Sequence, residues 1–207
     1  MFDPERIDMI MALRGRGISD NSVLRGMELI ARKIFVPEAL RDKAYGDQSL
    51  PIECGQSISA PFHIAMMTQV LELSKEHKLL EIGLGSGYHA AVMSRTVTRV
   101  YAVERYNSLI DSAEARFKLA GVHNVVSRHG DGRYGWPGQA PFDRIMLSCG
   151  VRAVPDMLLD QLAPNGVLVG SVDGQLTVVR KARVRMETQT IMPLTLPMIE
   201  AGKSKTL

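Results

Sequence analysis

Residues 79–89 read Leu-Leu-Glu-Ile-Gly-Leu-Gly-Ser-Gly-Tyr-His and hold the densest chemical signal in the chain. Leu79, Leu80 and Ile82 form a short apolar run of the kind that becomes a buried parallel strand. Gly83, Gly85 and Gly87 crowd into the next five positions, and Ala90 to Met93 suit a helix. Strand, glycine bend and helix together make a nucleotide-binding unit. Glycine lacks a Cβ, so a ligand can lie against bare backbone, and the helix start offers it unpaired N–H groups. Two phosphate cradles do not fit. A dinucleotide fingerprint ends in a small residue, but here that position is Tyr88 and the third glycine comes one residue early. A P-loop needs Gly-Lys-Ser/Thr after the bend, and none follows.

The pattern that fits is E-x-G-x-G-x-G, from Glu81 to Gly87. It is the form used by Rossmann-like methyltransferases that bind S-adenosylmethionine; a purely structural glycine turn is the alternative. Glu104 closes the apolar run Val100–Val103, 21 positions after Gly83. That is near the spacing of roughly 20 at which an acid meets ribose hydroxyls. One carboxylate can accept from both hydroxyls, whereas a solvated acid at a strand end would do nothing. Asp131, in His129-Gly130-Asp131-Gly132, follows another short strand and so puts a carboxylate at the ligand edge of the sheet, or else simply forms an Asp-Gly turn. Ser59 precedes Pro61 and either caps the following helix or faces the site.

These residues need a sheet to position them. The expected fold is α/β: a Rossmann-like, doubly wound, mostly parallel sheet with antiparallel strands near the C-terminus and an N-terminal helical extension. A single domain covers 1–207, with a helical cap over 1–45, an active-site loop and core over 46–197, and a loose tail over 198–207. Pro4 opens a helix over 4–14, and Asp20 or Asn21 caps a second carrying Val23, Leu24, Met27 and Ile30. Residues 49–61, rich in turn formers and hydroxyls, read as a loop before a helix with Ile64, Met67, Val70 and Leu71 on one face. Strands are expected at 100–104, 124–127, 142–147 and 167–170, with helices at 107–120 and 155–162. Two antiparallel strands, 175–180 and 183–192, end the core.

Composition narrows the classes. Hydrophobic residues make up 45% and charged residues 23%, as in ordinary globular chains. No apolar stretch approaches the roughly 18 residues of a membrane span, and no secretory signal opens the chain, so a cytoplasmic protein is expected. Cys54 and Cys149 are too few for a disulfide framework and are expected to be buried thiols. The net charge is only +3, and Arg180, Lys181, Arg183 and Arg185 lack interleaved aromatics, so no nucleic-acid partner is expected. No metal site is expected. His63, His89 and His129 lie near the motifs and are read as structural.

Several segments, in order, resemble the protein-L-isoaspartate O-methyltransferase family, over about residues 5–197. They are LPIECGQSISAP, LLEIGLGSGYHAAVMSR, VYAVER, RHGDGRYGW, APFD and LLDQLAPNGVLV. The hydroxyl-rich Ser57-Ile58-Ser59-Ala60-Pro61 loop is the specific element. The resemblance implies methyl transfer from S-adenosylmethionine to the α-carboxylate of isoaspartyl residues in aged proteins, leaving S-adenosylhomocysteine. The ester then collapses to a succinimide that opens partly to aspartate. It also implies site residues. Gly83, Gly85 and Ser86 would line the methionine and ribose of the cofactor, Glu104 would take the ribose hydroxyls, and Asp131 and Gly132 would flank the adenine. Gln56, Ser57, Ile58 and Ser59 match the active-site loop, Ser59 the functional serine, and Thr195 a cofactor-side position. Protein or peptide substrates carrying isoaspartate would be the partners of a monomer or weak homo-oligomer.

Three segments depart from the family pattern: Glu53-Cys54 in the loop, Ser148 to Arg152 after the fourth strand, and Ala31-Arg32 in the cap. They keep open a methyltransferase of this lineage with another acceptor, such as a different carboxylate or a small molecule, or a non-catalytic cofactor-binding module. A carboxylate acceptor is already ionised at neutral pH, with a reference pKa of roughly 4, so no general base is required.

Overall fold

The computed structural model describes residues 3–183 and 185–204. Two helices come first, α1 (Pro4–Gly15) and α2 (Asn21–Leu29), followed by single-turn helices at Arg32–Phe35 and Glu38–Lys43. Pro4 sits in the first turn of α1, where its missing N–H costs nothing. Asp20 caps α2, accepting from the amides of Ser22 and Val23 at 2.7 and 3.3 Å. A small hairpin follows, β1 (Leu50–Pro51) antiparallel to β2 (Ser57–Ile58). The core then runs α3 (Pro61–Val70), β3 (Lys78–Ile82), α4 (Tyr88–Met93), β4 (Arg99–Glu104), α5 (Asn107–Leu119) and β5 (Val125–His129). It ends with β6 (Phe142–Val151), α6 (Asp156–Asp160), β7 (Leu162–Val172), β8 (Gln175–Lys181) and β9 (Met186–Pro193).

The main sheet has the order β5-β4-β3-β6-β7-β8-β9. From β5 to β7 all neighbours are parallel, and β8 and β9 join antiparallel, as the sequence predicts. Alternation along β3 sends Leu79 to one apolar cluster, with helices α1 to α5, and Leu80 and Ile82 to the other, with Leu158 of α6. Because β4 and β6 flank β3 on opposite sides, the chain leaves β3 and β6 in opposite directions. A crevice therefore opens at their carboxyl ends, where such sheets bind ligands.

Three expectations change. Residues 49–61 are not a plain loop: β1 pairs with β2 around a tight turn at Glu53–Gly55. Residues 148–151 do not leave the sheet after 147; they extend β6, with a register shift against β7 between Leu147 and Gly150. Irregularities of this kind re-aim side chains next to sites. Residues 198–204 are not loose. Ile199 donates to the Gly150 carbonyl at 2.8 Å, Ser204 to that of Arg105 at 2.9 Å, and Glu200 pairs with Arg105. The rest of the expected tail, 205–207, lies outside the described residues.

Candidate active site

The crevice is a cleft with the glycine bend as its floor. Gly83 and Gly85 have φ of +88° and +53°, a region that side chains other than glycine's rarely adopt, so their backbone lies bare against the cleft. Gly87 serves packing instead. Its φ is +86°, and a Cβ there would stand 2.9 Å from the Phe117 ring, so this glycine lets α5 close on the bend.

Glu104 ends β4 inside the cleft and is buried. Its Oε2 accepts from the Gly85 amide at 3.0 Å, and its Oε1 accepts from Arg105 and Tyr106 at 2.7 and 3.1 Å. Three backbone donors thus fix the carboxylate and tie the bend to β4. Of roughly four acceptor positions on a carboxylate, the one left is on Oε2.

The opposite wall is the hairpin: Gln56, Ser57, Ile58 and Ser59 all line the cleft. Arg32 holds this wall from behind. It is fully buried, and its guanidinium donates to the carbonyls of Ala44 at 2.6 Å, Ser59 at 2.8 Å and Gln48 at 3.4 Å. Burial lowers its pKa from the ordinary value. Pro197 to Glu200 form the rim, with Gly132 beside them.

The cleft thus gathers Gln56, Ser57, Ile58, Ser59, Gly83, Gly85, Ser86, Glu104 and Gly132 of the expected site. Two expected residues lie elsewhere. Asp131 turns its carboxylate to Arg133, which donates at 2.7 Å, and to the Gly202 amide, also at 2.7 Å. The Arg133 guanidinium holds that carboxyl down at about 2. Asp131 therefore anchors the C-terminal rim, and only its neighbour Gly132 reaches the wall. Thr195 stands between the buried Leu194 and Leu196, and this alternation turns it outward, beside the tight turn at Gly174.

Four wall residues carry chemistry to which the sequence reading gave no part in the site. Glu81 is fully buried and lines the cleft. Burial pushes its carboxyl up to about 8, with the Ser148 hydrogen bond opposing and the Glu104 charge adding. Ser148 Oγ lies 2.7 Å from Glu81 Oε1 and 3.3 Å from His89 Nδ1. His89 Nε2 lies 2.9 Å from Thr68 Oγ1, and burial pulls the imidazole down to about 3. The alternation of β3 and the first turn of α4 could have pointed inward to Glu81 and His89, but nothing local pairs them with Ser148. The Cys149 thiol, also in the wall, is pushed up to about 12 by burial and then by Glu104 and Glu81. It is a thiol and not a thiolate at neutral pH, hence a poor nucleophile. His129 is structural, its Nε2 2.9 Å from the Arg105 carbonyl.

A bare glycine bend at the switch point, with a fixed acid at the neighbouring strand end, fits a nucleoside carrying an amino-acid tail. Fold and site together define a Rossmann-like, S-adenosylmethionine-dependent methyltransferase. Comparison with known proteins narrows the class. The sequence pattern of the family "Protein-L-isoaspartate(D-aspartate) O-methyltransferase (PCMT)" matches residues 5–196. The chain belongs to this family. A protein-L-isoaspartate O-methyltransferase of Maricaulis maris is 49% identical over 183 residues, covering 87% of this chain and 86% of that one. Another, of Paramagnetospirillum magneticum, is 42% identical over 205 residues, covering 96% of each. A solved protein-L-isoaspartate O-methyltransferase superposes with a TM-score of 0.85 at 25% identity, covering 95% of this chain and 66% of the other.

Proposed function

We propose that the chain methylates the α-carboxylate of L-isoaspartyl residues in damaged proteins or peptides, with S-adenosylmethionine as donor, and so starts their repair. The observation that carries this is the sharing of one cleft: the Ser57–Ser59 wall faces the same cavity as the glycine bend and Glu104. Bound there, S-adenosylmethionine supplies a methyl group on a sulfonium, ready for in-line displacement. Gly83, Gly85 and Ser86 would hold its amino-acid and ribose portions, Glu104 would accept from a ribose hydroxyl at the position left on Oε2, and Gly132 would back the adenine. Gln56, Ser57, Ile58 and Ser59 hold the reacting ends. Positioning and exclusion of water, rather than proton abstraction, lower the barrier.

Ser59 Oγ has no hydrogen-bond partner among the described residues, while its carbonyl is fixed by Arg32. It donates to the substrate carboxylate and holds a lone pair on line. A hydrogen bond to a charged group contributes about 1.5–3 kcal/mol. Ser59→Ala should therefore cut kcat about 10- to 100-fold, with cofactor Kd changed less than about twofold. Unchanged turnover would reject the role.

No described helix is long and apolar enough to cross a membrane. We take the chain to act in the cytoplasm, as a monomer or weak homo-oligomer in one domain, without nucleic acid. The direct test is incubation with labelled S-adenosylmethionine and an isoaspartyl peptide, beside its aspartyl twin. Label in the isoaspartyl peptide alone supports the proposal. Cofactor binding without transfer to that peptide overturns the substrate, and absence of cofactor binding overturns the whole assignment.

A further inference from the structure

Each hydroxyl in the contacts running from Glu81 through Ser148 and His89 to Thr68 has one proton, and this fixes the direction of the hydrogen bonds. Thr68 Oγ1 donates to the Ile64 carbonyl at 2.7 Å, so at His89 it accepts and Nε2 carries the hydrogen. Buried His89 is neutral, which leaves Nδ1 as an acceptor. The donor within reach of Nδ1 is Ser148 Oγ at 3.3 Å. A serine that gives its proton to His89 must accept at its contact with Glu81 Oε1, 2.7 Å away. Only a protonated Glu81 can donate there. An ionised Glu81 would instead take the serine proton, set two lone pairs against each other at His89, and leave a buried charge on Oε2. That oxygen has no partner.

We propose that Glu81 stands protonated in the cleft wall, at the head of a one-way chain through Ser148, His89 and Thr68, and releases that proton when a sulfonium enters. This makes the cleft distinguish the sulfonium cofactor from its thioether product, which keeps the amino-acid tail but has lost the sulfonium charge; the inference rests on the cleft's being the cofactor site. The groups facing Glu81 are Glu104 from β4, Ser148 and Cys149 from β6, and His89 from α4. None of these bears positive charge at neutral pH, so a ligand cation supplies what the acid lacks. On ionisation the proton passes to buffer, Ser148 turns its hydroxyl to Glu81, and Nδ1 of His89 loses its donor. Glu81 is thus a positioning residue that also answers charge.

The sign follows from linkage. The sulfonium form prefers the ionised acid and the thioether does not, so the cofactor-to-product affinity ratio rises with pH through the titration near 8. One unit of pKa displacement corresponds to about a tenfold change in that ratio. The cofactor's own amino group titrates in the same range, at about 8. Glu81→Gln, which mimics the neutral acid and can donate to Ser148, is therefore the control.

Carbon-13 NMR of protein labelled at the glutamate δ-carboxyl tests the resting state. One resonance should titrate several units above the rest and vanish in Glu81→Gln, and nitrogen-15 shifts should show His89 neutral with hydrogen on Nε2. Titration of every glutamate near its ordinary value, or hydrogen on Nδ1, overturns the chain in wild-type protein alone, whether or not the variant folds. Calorimetry near pH 7 in two buffers of different ionisation heat tests the response. S-adenosylmethionine should release a proton, S-adenosylhomocysteine should not, and Glu81→Gln should abolish the difference. Equal proton release by both ligands overturns the charge response. Failure of either ligand to bind refutes the cofactor site instead, and with it the charge response.

Discussion

Glu104→Ala should weaken binding of S-adenosylmethionine and S-adenosylhomocysteine alike, by about a hundredfold or more, in calorimetric titration. Two losses combine. The ribose hydroxyls lose a charged acceptor, and each such hydrogen bond contributes about 1.5–3 kcal/mol. With one acceptor position left on Oε2, a single such bond already amounts to about 10- to 150-fold in Kd. The bend also loses its tie, because Gly85, Arg105 and Tyr106 all donate to this carboxylate. Glu104→Gln sharpens the test. Whichever way the amide turns, its NH2 group meets a backbone N–H, from Gly85 on one side or from Arg105 and Tyr106 on the other. It should therefore resemble the alanine variant despite its shape. Affinity within about threefold of wild type in both variants would remove Glu104 from the site.

Glu104 also shows which parts of the molecule were legible in its sequence. The bend and the acid each depend on local rules: glycine spacing, a strand ending at a carboxylate, and a fixed separation along the chain. The parallel sheet followed from the alternation of apolar runs with helical segments. Asp131 is outside the cleft lining: it meets Arg133 two residues on, as the Asp-Gly turn reading allows, and Gly202, which a C-terminal segment brings along a path that composition does not reveal. Thr195 is also outside the cleft lining, since its outward turn depends on two leucines burying on either side. The Glu81–Ser148–His89–Thr68 chain spans four elements and hinges on the register shift in β6. Nothing local encodes such a contact. The Arg32 clamp was hidden for another reason: arginine is seldom fully buried, so the ordinary expectation for one in a helical cap is solvent.

Arg32→Met should lower Tm by on the order of 10 °C and loosen the wall that carries Ser59. The methionine fills much of the space but donates nothing. It strips a donor from the carbonyls of Ala44, Gln48 and Ser59, of which Ala44 is fully buried. Each buried acceptor left unpaired costs about 1–3 kcal/mol. Relief from desolving the guanidinium offsets part of this, so a net loss of about 3 kcal/mol is reasonable. At roughly 2–4 °C per kcal/mol for a chain of this size, that gives the stated shift. The three carbonyls come from residues 44, 48 and 59, so the clamp joins the cap to the active-site hairpin across 27 positions of chain. Its loss should reach catalysis through the backbone of Ser59, lowering kcat more than it raises the KM for cofactor. Arg32→Lys is the companion variant. A lysine keeps the charge but has no planar fork, and a point-like ammonium cannot reproduce divergent bonds to three carbonyls. It should fall between wild type and Arg32→Met in both Tm and kcat. If Arg32→Lys matches wild type in both, charge alone suffices and the fork geometry is irrelevant. If Arg32→Met melts within about a degree of wild type, the buried guanidinium is not what holds the serine wall in place.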